Sequence, residues 1–372
     1  MIYFDNAATG GRKPDTVLTA LASAVKTCAN PGRSGHKRSL ATAVTVEKCR
    51  KEVNEFFDGY GFDRVIFTKN CTEALNIAII GILEKGDHVI ASCMEHNSVL
   101  RPLEYLKKSN VITYDVCGLN KDGELNYEEL EKQIRPNTKV VAITSASNVT
   151  GNTPNLTRVR EILPQKTLLL CDGAQGAGHI DLKMKGAGID LLTLAGHKGL
   201  FATQGSGALL FSERVSPKPL LYGGTGSMSI SLDMPDFYPD ALEAGTLSFP
   251  AILSLLEGVR YLKFHQHEIN QKIERLTKRL LEGIQFVHGY RVYSKINPCG
   301  IIAFAHETLQ SEQIAEILSS KYDIAVRGGL HCAPLMHERL GTLDGGLVRV
   351  SLSHDNEDWE IDQLLRALKE IS

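Results

Sequence analysis

Two short segments hold side chains whose types could do chemistry together: Cys171-Asp172-Gly173-Ala174-Gln175 and Ala195-Gly196-His197-Lys198. The first follows the apolar run Leu168-Leu169-Leu170, and the second follows Leu191-Leu192-Thr193-Leu194. Each begins where a buried strand should end, and in an open α/β sheet ligands sit just beyond the carboxyl ends of the strands. One segment offers a carboxylate, the other a lysine beside an imidazole. A lysine able to form a Schiff base and an acid able to pair with a pyridinium nitrogen are what pyridoxal phosphate takes from a protein.

Gly196 and Gly199 flank the lysine and let a planar ligand approach the backbone. Desolvation there would lower the amine pKa and make Lys198 nucleophilic. Asp172 would keep the ring nitrogen protonated, and Gln175 could donate to the ring's phenolic oxygen. The plainer alternatives are a helix N-cap for Asp172 and a solvated surface lysine for Lys198. A phosphate needs backbone N–H groups and hydroxyls at a helix N-terminus, and Asn70-Cys71-Thr72-Glu73 fits that need or ordinary capping. His197 could add a donor. His96, in Met94-Glu95-His96-Asn97, could stack on the ring or be a solvated loop histidine.

Two further residues lie late in the chain. Cys332 sits in Arg327-Gly328-Gly329-Leu330-His331-Cys332-Ala333-Pro334, surroundings that suit a mobile, partly exposed thiol of depressed pKa. A metal held by His331, Cys332 and His337 is the rival reading, but no CxxC or HExxH pattern supports it, and no metal is expected. Arg349 is a charge inside the apolar strand Leu347-Val348-Arg349-Val350-Ser351, and a buried arginine needs an anionic partner. That partner is either a substrate carboxylate, clamped bidentately, or an acid on a helix.

The elements that must carry these residues alternate. Strands at 64–68, 88–91, 111–116, 138–144 and the two runs above are separated by helical stretches at 40–57, 71–83, 98–108, 127–134 and 156–163. Such alternation implies right-handed crossovers and a mostly parallel sheet. A first helix spans 13–28, and Asn30 to His36 forms a Gly-rich loop before the second. After Tyr222 the pattern changes to an irregular stretch, 223–239, then a long amphipathic helix over 251–284. Short strands (300–305, 324–326, 347–352) and helices (310–318, 357–371) complete the chain. The fold class is α/β, with a large domain over 15–250 and a smaller α+β domain over 251–372, residues 1–14 being associated with it.

Composition is that of an ordinary globular protein. The 372 residues are 43% hydrophobic and 23% charged, with a formal net charge of -2, which points to neither nucleic acid nor membrane as partner. No apolar run reaches a membrane span, and the first residues do not read as a secretion signal. The 8 cysteines are scattered, which suits reduced, mostly buried thiols in a cytoplasmic protein.

Taken in order, the motifs resemble those of the class V aminotransferase fold, and within it the cysteine desulfurases. They are Tyr3-Phe4-Asp5-Asn6-Ala7-Ala8-Thr9, Glu95-His96-Asn97, Ser147-Asn148-Val149-Thr150-Gly151, Asp172 to Gln175, Gly196-His197-Lys198, Glu243-Ala244-Gly245-Thr246 and Arg327 to Pro334. The segment around the cysteine is similar to the group II branch, which includes SufS-type desulfurases and selenocysteine lyases. The resemblance implies a fold type I pyridoxal-phosphate enzyme that acts as a homodimer. Lys198 would hold the cofactor and shuttle protons, Asp172 and Gln175 would bind its ring, and His96 would stack on it and assist acid–base steps. Cys71, Thr72 and His197 would form the phosphate site, with Thr246 reaching in from the other subunit. Asn148 would sit beside the cofactor and, with Arg349, hold the substrate carboxylate. Cys332 would attack the substrate sulfur.

This chain departs from the family pattern at four places. Ala195 stands where a phosphate-binding hydroxyl is usual, and Thr203-Gln204-Gly205 replaces the usual loop after the lysine. Asn97 replaces a second histidine after the acid, and Leu330 another before the cysteine. The implied reaction converts L-cysteine to L-alanine, leaving a persulfide on Cys332 for a sulfur-acceptor protein. The alternatives are a lyase acting on L-selenocysteine and, in another class, a non-catalytic sulfur carrier or scaffold.

Overall fold

The computed structural model describes residues 1–31 and 34–372, so Gly32 and Arg33 of the Gly-rich loop lie outside the described residues. The chain opens with β1 (Ile2–Tyr3), α1 (Asp15–Thr27), α2 (Lys37–Phe56), β2 (Val65–Thr68), α3 (Cys71–Ile80), β3 (Asp87–Ser92), α4 (Asn97–Lys108) and β4 (Ile112–Cys117). It continues with α5 (Tyr127–Gln133), β5 (Thr138–Thr144), α6 (Leu156–Ile162), β6 (Leu168–Asp172), α7 (Met184–Ala187), β7 (Leu191–Ala195) and β8 (Gly207–Phe211). The remainder is α8 (Phe249–Ile284), β9 (Tyr290–Val292), β10 (Ile301–His306), α9 (Ser311–Tyr322), β11 (Ile324–Ala325), α10 (Pro334–Leu340), β12 (Val348–Ser351) and α11 (Asp358–Ile371).

Seven strands form the central sheet in the order β2-β8-β7-β6-β5-β3-β4. Only β8 runs against its neighbours, β2 and β7. Every residue of β2, β6, β7 and β8 is buried, because helices cover both faces of a parallel sheet and its strands become continuous apolar runs. The expected alternation is therefore present, with β8 added to it. The two strands carrying the opening motifs are direct neighbours: Asp172 of β6 is in register with Thr193 of β7.

A second sheet, β12-β10-β9, is antiparallel, and β1 pairs with β11 in parallel. Ile2 and Phe4 pack with Leu276, Ile302, Phe304, Val350 and Leu364 in one apolar cluster. The N-terminus thus folds onto the last third of the chain. The 36-residue helix α8 contributes Ile252, Leu255 and Val259 to the core beneath the central sheet and Leu276, Leu280 and Ile284 to this second core.

Candidate active site

A cavity of about 220 Å³ lies at the carboxyl ends of β5, β6 and β7. Nine of the residues singled out from the sequence line it: Cys71, Thr72, His96, Asn148, Asp172, Gln175, His197, Lys198 and Arg349. They come from the start of α3, the cap of α4, the loop after β5, the ends of β6 and β7, and the middle of β12.

Asp172 is the last residue of β6 and is buried. Its Oδ1 accepts from the Ala174 amide at 2.9 Å and from the Cys71 thiol at 3.5 Å, a turn that aims the carboxylate away from the sheet. Among the described residues no cation forms a salt bridge with it. A buried carboxylate without a cationic partner is costly, so this position suits a ligand that brings its own positive nitrogen. Lys198 follows β7 by three residues, and Gly196 between them has no room for a side chain: a Cβ there would lie 2.2 Å from Ser206 Oγ. The Lys198 amine makes no side-chain hydrogen bond among the described residues. Burial pushes its pKa down, and Asp172 pulls it partly back.

The imidazoles are neutral around the cavity. Burial lowers His96 and His197 each to about 4. His96 caps α4, its Nδ1 accepting from the Ser98 amide at 3.0 Å, which leaves the ring proton on Nε2. His197 Nδ1 lies 3.0 Å from Thr9 Oγ1. At the start of α3, Asn70 caps the Glu73 amide at 2.9 Å, and the Cys71 and Thr72 amides make no bond among the described residues. Thr72 Oγ1 and Ser98 Oγ are 2.9 Å apart. Free helix N–H groups beside two hydroxyls make an anion site. Ala195 also lines the cavity, buried, and offers no hydroxyl. Gln175 lies beneath Ala7, whose carbonyl takes one of its amide hydrogens at 3.1 Å.

Arg349 is 1% exposed. Its anionic partner within the chain is Asp5, at 2.9 Å. Asp5 stands in the N-terminal loop rather than on a helix, which corrects the expectation of a helix acid: the segment after β1 is laid across β12 and meets the arginine there. Asn148, below it, donates from Nδ2 to the His331 carbonyl at 2.6 Å and leaves Oδ1 buried without a partner.

Cys332 and Thr246 are not among the lining residues. Cys332 is exposed, as is Cys28, whereas the other six cysteines are buried. His331 and Cys332 adopt left-handed backbone in succession, φ +51° and +57°, at a cost of about 1–3 kcal/mol each. The turn is held by the Asn97 amide on the Cys332 carbonyl at 2.8 Å and by Asn148 on that of His331. Asn148, which lines the cavity, and Asn97, next in the chain to the lining residue His96, therefore fix the loop that presents the thiol. His331 itself reaches the cavity, is pushed down to about 2 by burial, and stacks on His337 with centroids 5.7 Å apart. Thr246 is exposed and lies against a separate hollow with Phe67, Lys69 and Leu221.

Reasoning from sequence passed over Ser98, Arg327, Thr144, Ala7 and Ala8, all of which line the cavity. Glu95, quoted there only as part of its motif, is buried, bonded to Ser92 and the Thr144 amide, and raised to about 8 by burial. Arg327 and Ala7-Ala8 stood inside quoted motifs, so their spacing was a usable signal. Ser98 and Thr144 carried none.

The fit of pyridoxal phosphate can be judged on these residues. The unpaired Asp172 carboxylate, the free amides of α3 and the uncommitted Lys198 amine match a pyridinium, a phosphate and an aldehyde in turn. The profile of the family described as aminotransferase class-V matches residues 2–364. A probable cysteine desulfurase of Methanothermobacter thermautotrophicus is 30% identical over 382 residues, covering 100% of this chain and 94% of its own. Another of Staphylococcus aureus strain Mu50 is 30% identical over 391 residues, covering 100% and 92%. The solved structure of a cysteine desulfurase from Thermococcus onnurineus superposes with a TM-score of 0.91 at 29% identity, covering 100% of this chain and 94% of that one. A cysteine desulfurase, CsdA, of Escherichia coli superposes at 0.89 and 25%, covering 99% and 94%.

Proposed function

We propose that this chain, which belongs to the aminotransferase class-V family, is a pyridoxal-phosphate cysteine desulfurase of the group II, SufS-type kind. The observation that carries this reading is the single cavity into which β6, β7 and β12 deliver Asp172, Lys198 and Arg349, beside an exposed Cys332. The cofactor, when bound, supplies the electron sink that lets the Cα–H and Cβ–S bonds of the substrate break.

The protein's own residues do the rest. Asp172 would pair with the ring nitrogen, Gln175 would donate to the ring's phenolic oxygen, and His96 would stack on the ring. The α3 amides, Thr72 and His197 would hold its phosphate, with Cys71 contributing to that site. Arg349 and Asn148 orient the substrate carboxylate, so that Lys198 Nζ takes the Cα proton and later returns it. Desolvation keeps the amine from being a permanent cation and fits it to that role. Cys332 Sγ, as thiolate, attacks the substrate sulfur: the S–S bond forms, and the substrate C–S bond breaks with its electron pair left on carbon. One cysteine and one enzyme thiol give one alanine and one persulfide, and no outside oxidant or reductant is needed. The exposed thiol can then pass sulfur to an acceptor protein. The homodimer of this reading is supported by Thr246, outside its own cavity, and by the exposed Leu221, Tyr222, Ile230 and Leu232 in the stretch before it, large apolar side chains whose burial against a second copy would be favourable.

Incubation with L-cysteine followed by mass spectrometry tests the proposal. Persulfide on Cys332 with stoichiometric alanine is the expected result, and alanine without sulfur on Cys332 would overturn it.

A further inference from the structure

On the reading that Arg349 receives the substrate carboxylate, its guanidinium must be held ready for that ligand. Arg349 lies in β12 opposite Ala303 of β10. Its guanidinium is held at two points: Nη1 donates to the Asn148 carbonyl at 2.9 Å and Nη2 to Asp5 Oδ1 at 2.9 Å. Nε is buried and has no partner. An arginine meets a carboxylate through adjacent N–H groups of one plane. The groups left for a ligand are Nε–H and the N–H of each terminal nitrogen that the protein does not use.

We propose that Asp5 is a positioning residue for substrate recognition: its carboxylate fixes the plane of the Arg349 guanidinium and offsets its charge, so that the open N–H groups face the cavity before the substrate arrives. Asp5 is well placed to do this because its neighbours are anchored. Phe4 is fully buried and its carbonyl accepts from the Ser351 amide at 2.7 Å. Asn6 Nδ2 donates to the Ser351 carbonyl at 2.9 Å, and the Ala7 amide donates to Ser351 Oγ at 2.8 Å. The Tyr3 hydroxyl donates to the Asp5 carbonyl at 3.2 Å. A side chain carried by a fixed backbone costs little entropy to hold in place, and preorganisation of that kind appears as ligand affinity. The need is real on the other side too. Burial works against the Arg349 charge and Arg327 adds a like charge, while Asp5, and to a smaller extent Tyr3, counter both.

The test compares two amines on the cofactor-loaded enzyme by calorimetry: L-alanine, and ethylamine, which lacks the carboxylate. In Asp5→Asn, alanine affinity should fall about ten-fold, about 1.4 kcal/mol, while ethylamine binding is unchanged. The KM for cysteine should rise by a similar factor with kcat held, and Asp5→Glu should restore part of the loss. Equal losses for both amines, or an unchanged alanine affinity, would overturn the proposal. Should Asp5→Asn not fold, Asp5→Glu carries the same comparison: an intermediate alanine loss supports the proposal and an unchanged alanine-to-ethylamine ratio overturns it. Failure of the underlying reading looks different: wild type would then show no preference for alanine over ethylamine, or Arg349→Lys would leave that preference intact.

Discussion

The end of the cavity built by β6 and β7 and the turn that presents Cys332 solve opposite problems. Asp172 and Ala195 are buried at the ends of adjacent strands whose every residue is buried. Cys332 is exposed, on a turn whose backbone is left-handed at two successive positions. A sheet end gives fixed positions at no conformational cost, which suits groups that must hold a ring. A strained, tethered turn puts a thiol at the surface, which suits a group that must take an atom from one partner and give it to another. The difference shows that one site can draw its rigid half from the sheet and its reaching half from a loop, provided residues such as Asn97 and Asn148 tie the two together.

Removing Lys198 should break the comparison most severely. Lys198→Ala should abolish both turnover and the visible absorption of the lysine-bound cofactor, since proton transfer alone is worth roughly 10²–10⁴-fold. Absorbance and alanine release check this. Cys332→Ser should separate the two halves: the visible band stays, and cysteine turnover falls to background. If cysteine turnover persisted, the thiol would have no part in the reaction.

A pH series sharpens the contrast by probing the buried half alone. Glu95 is raised from 4.5 to about 8, so the folded chain keeps a proton that the unfolded chain releases, and stability should fall as pH rises across that window. His197 is lowered from 6.5 to about 4. The unfolded chain binds its proton first, and stability should fall as pH drops across that range. Melting temperatures of wild type and Glu95→Gln should therefore differ in slope between pH 6.5 and about 8, above the range where His197 contributes, with the variant flatter. The smallest effect is expected from Ala195→Ser. A hydroxyl placed on the cavity wall should add one hydrogen bond to the phosphate, about 1 kcal/mol, or roughly five-fold in cofactor affinity by titration of the apoprotein.

What could be read from the sequence follows from where each signal lives. Strands β5, β6 and β7 were legible because burial on both faces makes an unbroken apolar run, and the residues just past them were legible for the same reason. The run Gly207-Ala208-Leu209-Leu210-Phe211 carried the same signal for β8 but belongs to no βα alternation, so it was passed over. β1 has two residues and β9 three, too short for any periodicity. Within the site, Lys198 and Asp172 announced themselves by local context. The partner of Arg349 did not, because Asp5 is 344 positions away in the chain and only the fold brings them together. Ser98 was hidden for a simpler reason: a serine in the first turn of a helix carries no chemical signal of its own, and only the fold sets its hydroxyl 2.9 Å from Thr72 Oγ1.

The helix α8 has a consequence for how the molecule comes apart. At 36 residues it is a rod of ~54 Å, with one end sunk in the core under the sheet and the other in the core of the last third. A cut at residue 250 would strip Ile252, Leu255 and Val259 from the first core without freeing a second globule, because those side chains ride on the same rod as Leu276 and Ile284. The two bodies share one beam, so heating should melt them in a single calorimetric transition rather than in two.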